Sequence, residues 1–184
     1  IYAICFYLVI ILIMFMFQRS LLYLPSKEKI DRSYYAETGL KKIEFITSDG
    51  LVLKSLFKRP SNNEKSMIVV FHGNAGHVGH RVEKFRPFLE EGHGLFLVEY
   101  RGYGENSGKP SENGFYKDGQ AAINFLSEQN IPKNKIIIYG ESLGCGLAVK
   151  LSIQDTFRAT ILEAPYTSIA DVASRHYWYL PAKL

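Results

Sequence analysis

Gly140-Glu141-Ser142-Leu143-Gly144 reads G-x-S-x-G and follows the apolar run Ile136-Ile137-Ile138-Tyr139. A buried strand that runs into a serine flanked by glycines, and then into a helix, exposes a hydroxyl at the apex of a sharp turn. The chemistry such a turn serves is acyl transfer through a serine ester. A serine hydroxyl is a weak nucleophile until a base takes its proton, so Ser142 needs partners. The following helix directs the positive end of its dipole at the turn, which favours an anionic intermediate. The backbone N–H of Leu143 is the expected first oxyanion donor.

The second donor should come from the loop after an earlier buried strand. Met67–Phe71 is such a strand, and it ends in His72-Gly73-Asn74-Ala75-Gly76. Asn74 N–H is the first choice, with Ala75 as the alternative; the glycines let backbone approach a substrate oxygen closely. His72 is expected to support this loop by hydrogen bonding rather than to act as the base. His72, His77 and His80 invite a metal reading. No cysteine or carboxylate cluster lies nearby in sequence and the three share no helix face, so neither a metal nor a cofactor is expected. Gly104 to Lys109 lacks the spacing and the Ser or Thr of a phosphate loop. Cys145, inside the helix after Ser142, reads as a small packed thiol.

The elements that must position these residues follow from periodicity. Lys42 to Phe57 alternates apolar and polar residues around Asp49-Gly50, which predicts a hairpin with a two-residue turn. Met67–Phe71 is a continuous apolar run, as expected for a strand covered on both faces, and Leu95–Tyr100 is another buried strand. Val82, Phe85 and Leu89 place a helix over about 78–91. Ser111 is a fair cap for a helix that ends near Asn130 and Pro132. Lys135–Tyr139 is the strand before Ser142, a helix then runs to about Gln154, and Ala159–Leu162 is a further strand. Strand and helix alternate after the hairpin, which predicts an α/β fold with an open, mostly parallel sheet.

Of 184 residues, 47% are hydrophobic and 22% charged, ordinary for a globular domain. The net charge of +4 is mild and the basic residues are scattered. With no basic stripe and no motif, nucleic-acid binding is not expected. Ile1–Phe17 is unbroken in apolar residues, about 25 Å of helix, near the lower limit for crossing a bilayer. It is long for a cleaved signal segment and no small-x-small site follows. The expected organisation is a transmembrane anchor at 1–24, a linker at 25–40 and an α/β domain at 41–184. Arg19, Lys27, Lys29 and Arg32 after the span lean towards a cytoplasmic domain.

Taken together, the chain resembles the α/β-hydrolase superfamily, in particular its membrane-anchored serine hydrolases of the abhydrolase-domain type. The resemblance rests on Leu22-Tyr23-Leu24-Pro25, Ser48-Asp49-Gly50, His72-Gly73-Asn74-Ala75-Gly76 and Tyr100-Arg101-Gly102-Tyr103-Gly104. It continues through Gly140-Glu141-Ser142-Leu143-Gly144 and Glu163-Ala164-Pro165-Tyr166-Thr167-Ser168, in the family's order. It implies a hydrolase of acyl esters or thioesters, acting on small molecules, lipids or acylated proteins, with Ser142 as nucleophile. In the family, strand six is followed by a cap region and two further strands whose loops carry the acid and the histidine. Here only 42 residues follow Ser142. The resemblance therefore implies a sheet truncated after strand six, with base and acid absent from the chain. Glu163, Asp171 and His176 are the substitutes at hand. His176 would have to fold back over Ser142, so His176, Tyr177, Trp178 and Tyr179 are expected to be a cap segment. An inactive membrane-tethered remnant, or a ligand-binding protein on the same fold, is the alternative.

Overall fold

A computed structural model describes residues 2–168 and 171 of the chain. Two compact units are distinguished, and Pro25–Pro165 forms the larger. Within it, β1 (Lys41–Ile46), β2 (Val52–Lys58), β3 (Met67–Phe71), β4 (Gly94–Val98), β5 (Ile136–Glu141) and β6 (Ala159–Glu163) form one sheet. The helices of this unit are α2 (Val82–Glu90), α3 (Glu112–Glu128) and α4 (Leu143–Gln154). The strand order is β1-β2-β4-β3-β5-β6. β1 and β2 are antiparallel, as are β2 and β4; β4, β3, β5 and β6 run parallel.

Side-chain alternation sorts the core into two layers. On one face Leu56, Ile68, Val70, Leu95 and Leu97 pack with Val82, Phe85 and Leu89 of α2. On the other, Phe45, Phe57 and Phe96 meet Phe125 of α3 at ring-centroid distances of 5.3–6.0 Å. A strand covered on both faces has no polar side to show, which is why β3 and β4 are buried at every position. Ser111 caps α3 by accepting from Gly114 N–H at 3.1 Å.

Three expectations need revision. The hairpin loop is longer than two residues: β1 ends at Ile46 and β2 starts at Val52. Thr47 closes the loop, accepting from Leu51 N–H and donating to Asp49. Asp49 in turn binds both guanidinium ends of Arg101, at 2.8 and 3.0 Å, and that pairing holds its carboxyl far below the usual range. Residues 25–40, read as a linker, carry Ile30 and Leu40 into the core cluster with α2. Finally, Tyr2–Leu22 is one helix, α1, with Phe6, Leu8, Leu12, Phe15 and Met16 exposed. Among the described residues no helix is long and apolar enough to cross a membrane, so the transmembrane expectation for 1–24 is not met.

Candidate active site

Ser142 sits between β5 and α4 with φ 47° and ψ −110°. A non-glycine residue in that region costs on the order of 1–3 kcal/mol and persists only where its surroundings force it. The surroundings are visible. A Cβ on Gly144 would lie 1.9 Å from the carbonyl oxygen of Phe71, at the end of β3. A Cβ on Gly140 would lie 2.7 Å from Gly144 O and 2.8 Å from Cys145 Cα. Both glycines are therefore required by packing: they let α4 sit directly on β3 and β5. Ser142 N–H donates to Glu163 O at 2.9 Å, and Cys145 N–H to Ser142 O at 2.8 Å, so the turn is tied to β6 and to its own helix. Cys145 is buried, its thiol facing Gly140 O and Glu163 O at 3.1 and 3.2 Å. Burial pushes that thiol up, in keeping with a packed rather than a reactive sulfur.

The loop 72–76 leaves the sheet beside this turn. Phe71 pairs with Gly140 across the parallel β3–β5 ladder, and a Cβ on Gly73 would lie 3.0 Å from Glu141 Oε1. The structure thus brings together Ser142, Leu143 as the first residue of α4, and the Asn74 loop. Tyr103 OH donates to Asn74 O at 2.8 Å and lies 3.1 Å from Asn74 Oδ1. His72 is fully buried, with Nδ1 2.7 Å from Gly73 O and Nε2 2.9 Å from Glu99 Oε1. It supports the loop, as its sequence position suggested. Glu99 belongs to no motif, and the sequence signal for it is an acidic residue directly after the buried run Gly94–Val98. Glu141 is held by Arg81 at 3.1 Å and Lys84 at 3.6 Å.

Of the other residues read as possible catalytic partners, Glu163 and Asp171 are engaged elsewhere. Glu163 accepts from Tyr139 OH at 2.6 Å and pairs with Lys84; Lys84 first, then Tyr139, keep its carboxyl low. Asp171 accepts from Thr167 Oγ1 at 2.8 Å. His176 and the expected cap segment through Tyr179 lie outside the described residues. His93 accepts from Ser66 N–H at 3.1 Å. His77 and His80 stack with ring centroids 3.9 Å apart. A cleft of about 550 Å³ lined by Arg59, Lys65 and Lys135 lies at the opposite end of β3 and β5, away from Ser142.

Glu28, His77 and His80 each bring one possible ligand atom within 4.8 Å of the others, a grouping that sequence spacing hid because Glu28 is so distant. His77 Nε2 is buried with no partner among the described residues, and Glu28 Oε2 is 3.8 Å away. However, His77 Nδ1 accepts from Gly79 N–H at 3.1 Å. The neutral ring therefore carries its proton on Nε2 and turns an N–H, not a lone pair, towards the gap. Burial first, and His80 second, push the His77 pKa down.

Comparison with known proteins agrees with this geometry. Residues 62–181 match the family model Hydrolase_4, described as serine aminopeptidase, S33. Protein bem46 of Schizosaccharomyces pombe is 35% identical over 170 residues, covering 86% of this chain and 57% of that protein. The lysophosphatidylserine lipase ABHD12 of Danio rerio is 33% identical over 137 residues, covering 68% of this chain and 36% of that one. The chain spans 60% or less of the length of these relatives and of a Mycobacterium tuberculosis protein 35% identical to it. The Pyrococcus furiosus esterase Pf2001 superposes with a TM-score of 0.70 at 20% identity, over 89% of this chain and 64% of that one, which speaks to the fold. With well over half of its residues inside the family model, and the sheet and turn that the fold demands, the chain belongs to the Hydrolase_4 family of α/β hydrolases.

Proposed function

We propose that the polypeptide carrying this chain is a serine hydrolase of acyl esters or thioesters. Ser142 Oγ would attack the acyl carbonyl carbon, its proton passing to a base. The resulting oxyanion would be held by Leu143 N–H and Asn74 N–H, the leaving alcohol or thiol would depart with a proton, and water would release the acid by the reverse steps. The observation that carries this reading is the backbone of Ser142, φ 47° and ψ −110°, held between two glycines that packing requires. No described histidine serves as the base, and we place base and acid outside residues 2–168 and 171. The zebrafish relative's name as a lysophosphatidylserine lipase favours lipid acyl esters among the candidate substrates. The exposed apolar side chains of α1 favour attachment of residues 1–24 to a lipid surface.

An active-site-directed fluorophosphonate tests the assignment on the full-length protein. Covalent labelling that disappears in Ser142→Ala is expected; a folded wild type that takes no label sinks it. A second reading, an acyl-ligand-binding protein without turnover, draws on the lack of a base among the described residues. Acyl-ligand binding without ester hydrolysis by the full-length protein would favour it.

A further inference from the structure

Glu99 follows β4 and is fully buried, yet the reaction proposed for Ser142 gives it no part. Its two carboxylate oxygens hold opposite ends of one loop. Oε1 lies 2.9 Å from His72 Nε2, at the loop's entry, and Oε2 accepts from Val78 N–H at 2.9 Å, at its exit. Register puts it there: Phe71 pairs with Val98 across the parallel β3–β4 ladder, so His72 and Glu99 leave the sheet side by side. Nearby contacts seat the carboxylate. Glu99 N–H donates to Ser55 Oγ at 2.9 Å. At Gly104, with φ 52°, a Cβ would stand 3.1 Å from Glu99 Oε2.

The clamp reaches the proposed oxyanion donor through one rigid peptide. Both ring nitrogens of His72 face oxygens, so each of the two contacts holds one proton. The ring's Nδ1–H donates to Gly73 O. That carbonyl and Asn74 N–H belong to the same planar trans peptide, in which C=O and N–H point in opposite directions. Gripping the oxygen therefore fixes where the N–H aims. Tyr100 OH donates to His72 O at 2.9 Å and Tyr103 OH to Asn74 O at 2.8 Å, securing the peptide on either side.

We infer that Glu99 is the positioning residue of the oxyanion loop: acting through His72, it aims Asn74 N–H at the oxyanion formed on Ser142. This rests on the reading of Ser142 as nucleophile. Glu99 matters because one side chain holds both His72 Nε2 and Val78 N–H. Glu99→Ala removes both holds, so both ends of the loop are released, whereas Glu99→Gln can keep them, its carbonyl accepting from Val78 N–H and its amide donating to Nε2 of a neutral His72 whose Nδ1–H still meets Gly73 O.

The test is steady-state hydrolysis of a 4-nitrophenyl acyl ester together with hydrogen exchange, on the full-length protein. Glu99→Ala is expected to lower kcat by about ten- to a hundredfold, short of the 10²–10³ lost when an oxyanion donor is removed outright, and Glu99→Gln by less. KM should stay within about twofold, because only transition-state contacts are disturbed. Amides in 72–78 should exchange at least about tenfold faster than in wild type, while β3 and β4 keep their protection, as expected of local opening. His72→Asn can replace the Nδ1–H donor but cannot reach Glu99, so it should retain more kcat than His72→Ala. Should Glu99→Ala fail to fold, the His72 pair and Tyr103→Phe carry the test, the latter with a loss of a few fold in kcat. An unchanged kcat in folded Glu99→Ala, a global rise in exchange with no excess at 72–78, or equal activity in the two His72 variants overturns the inference. If the wild type shows no hydrolysis, the reading of Ser142 falls, and the exchange arm still decides whether Glu99 clamps the loop.

Discussion

Gly144→Ala should be among the most damaging single-methyl additions in this protein. The new Cβ would lie 1.9 Å from Phe71 O, whereas real Cβ contacts essentially never fall below 3.0 Å. Relief needs at least the difference, about 1.1 Å, between two elements that cannot easily part. On one side is β3, buried at all five positions; on the other is α4, which buries Cys145, Leu147, Ala148 and Leu151. A gap of 0.5–1 Å already forfeits a quarter to a half of the dispersion contact across it. With the 1–3 kcal/mol typical of an overpacked core, the loss is about 3–5 kcal/mol, or roughly 10 °C in Tm for a chain this long. Urea unfolding followed by circular dichroism measures it. Two companions calibrate the argument. Gly140→Ala meets backbone at 2.7–2.8 Å and should cost less; Gly50→Ala has open space but φ +83°, so only backbone strain of about 1 kcal/mol remains. A Gly144→Ala loss below about 1 kcal/mol, or one smaller than that of Gly50→Ala, would refute the packing account of the motif.

Asp118 is fully buried and takes Arg101 Nε and Nη2 at 2.8 and 2.7 Å. Asp118→Ala leaves Arg101 Nε and backbone N–H without their acceptor while Asp49 still pairs the guanidinium, and should cost about 1–3 kcal/mol in urea unfolding; a loss near zero would show that the pair is not holding the loop after β4. The pKa of His77 is lowered in the fold, by burial first, so the unfolded state binds its proton more readily. Its contribution to stability is complete above about pH 6.5 and declines as pH falls from there through the lower folded value. His77→Asn can keep the bond from Gly79 N–H without a titrating ring, so its thermal stability should fall less between pH 7 and pH 5 than that of the wild type; equal slopes would contradict this. Cys5 is exposed and Cys145 buried with its thiol pushed up. Iodoacetamide should modify Cys5 in the native protein and reach Cys145 only after unfolding, as peptide mass mapping would show.

What the sequence made legible was whatever depends on local sterics or on burial from both sides. β3 and β4 could be read as continuous apolar runs because no position along them meets solvent. The turn at Ser142 could be read because its two glycines answer to contacts made within one strand, one turn and one helix, with Phe71 O as the one distant partner. The misreadings share a different cause. Asp49 looked like half of a two-residue turn, but its carboxylate is committed to Arg101, 52 residues away, and Thr47 builds a longer loop around that commitment. Residues 25–40 looked like a linker because a polar segment needs only Ile30 and Leu40 to anchor it. Glu99 was invisible because its meaning lies 27 residues upstream, in a ring nitrogen of His72. A carboxylate in an apolar strand is costly unless its partners are supplied. Such a residue at the end of a buried run is therefore a sequence-level sign that two loops on one sheet edge are tied together. In this chain the tied loop is the one that must stay rigid if Asn74 is to meet an oxyanion on Ser142. Rigidity placed there by a buried carboxyl group, rather than by the loop's own glycines, leaves those glycines available for close approach to substrate.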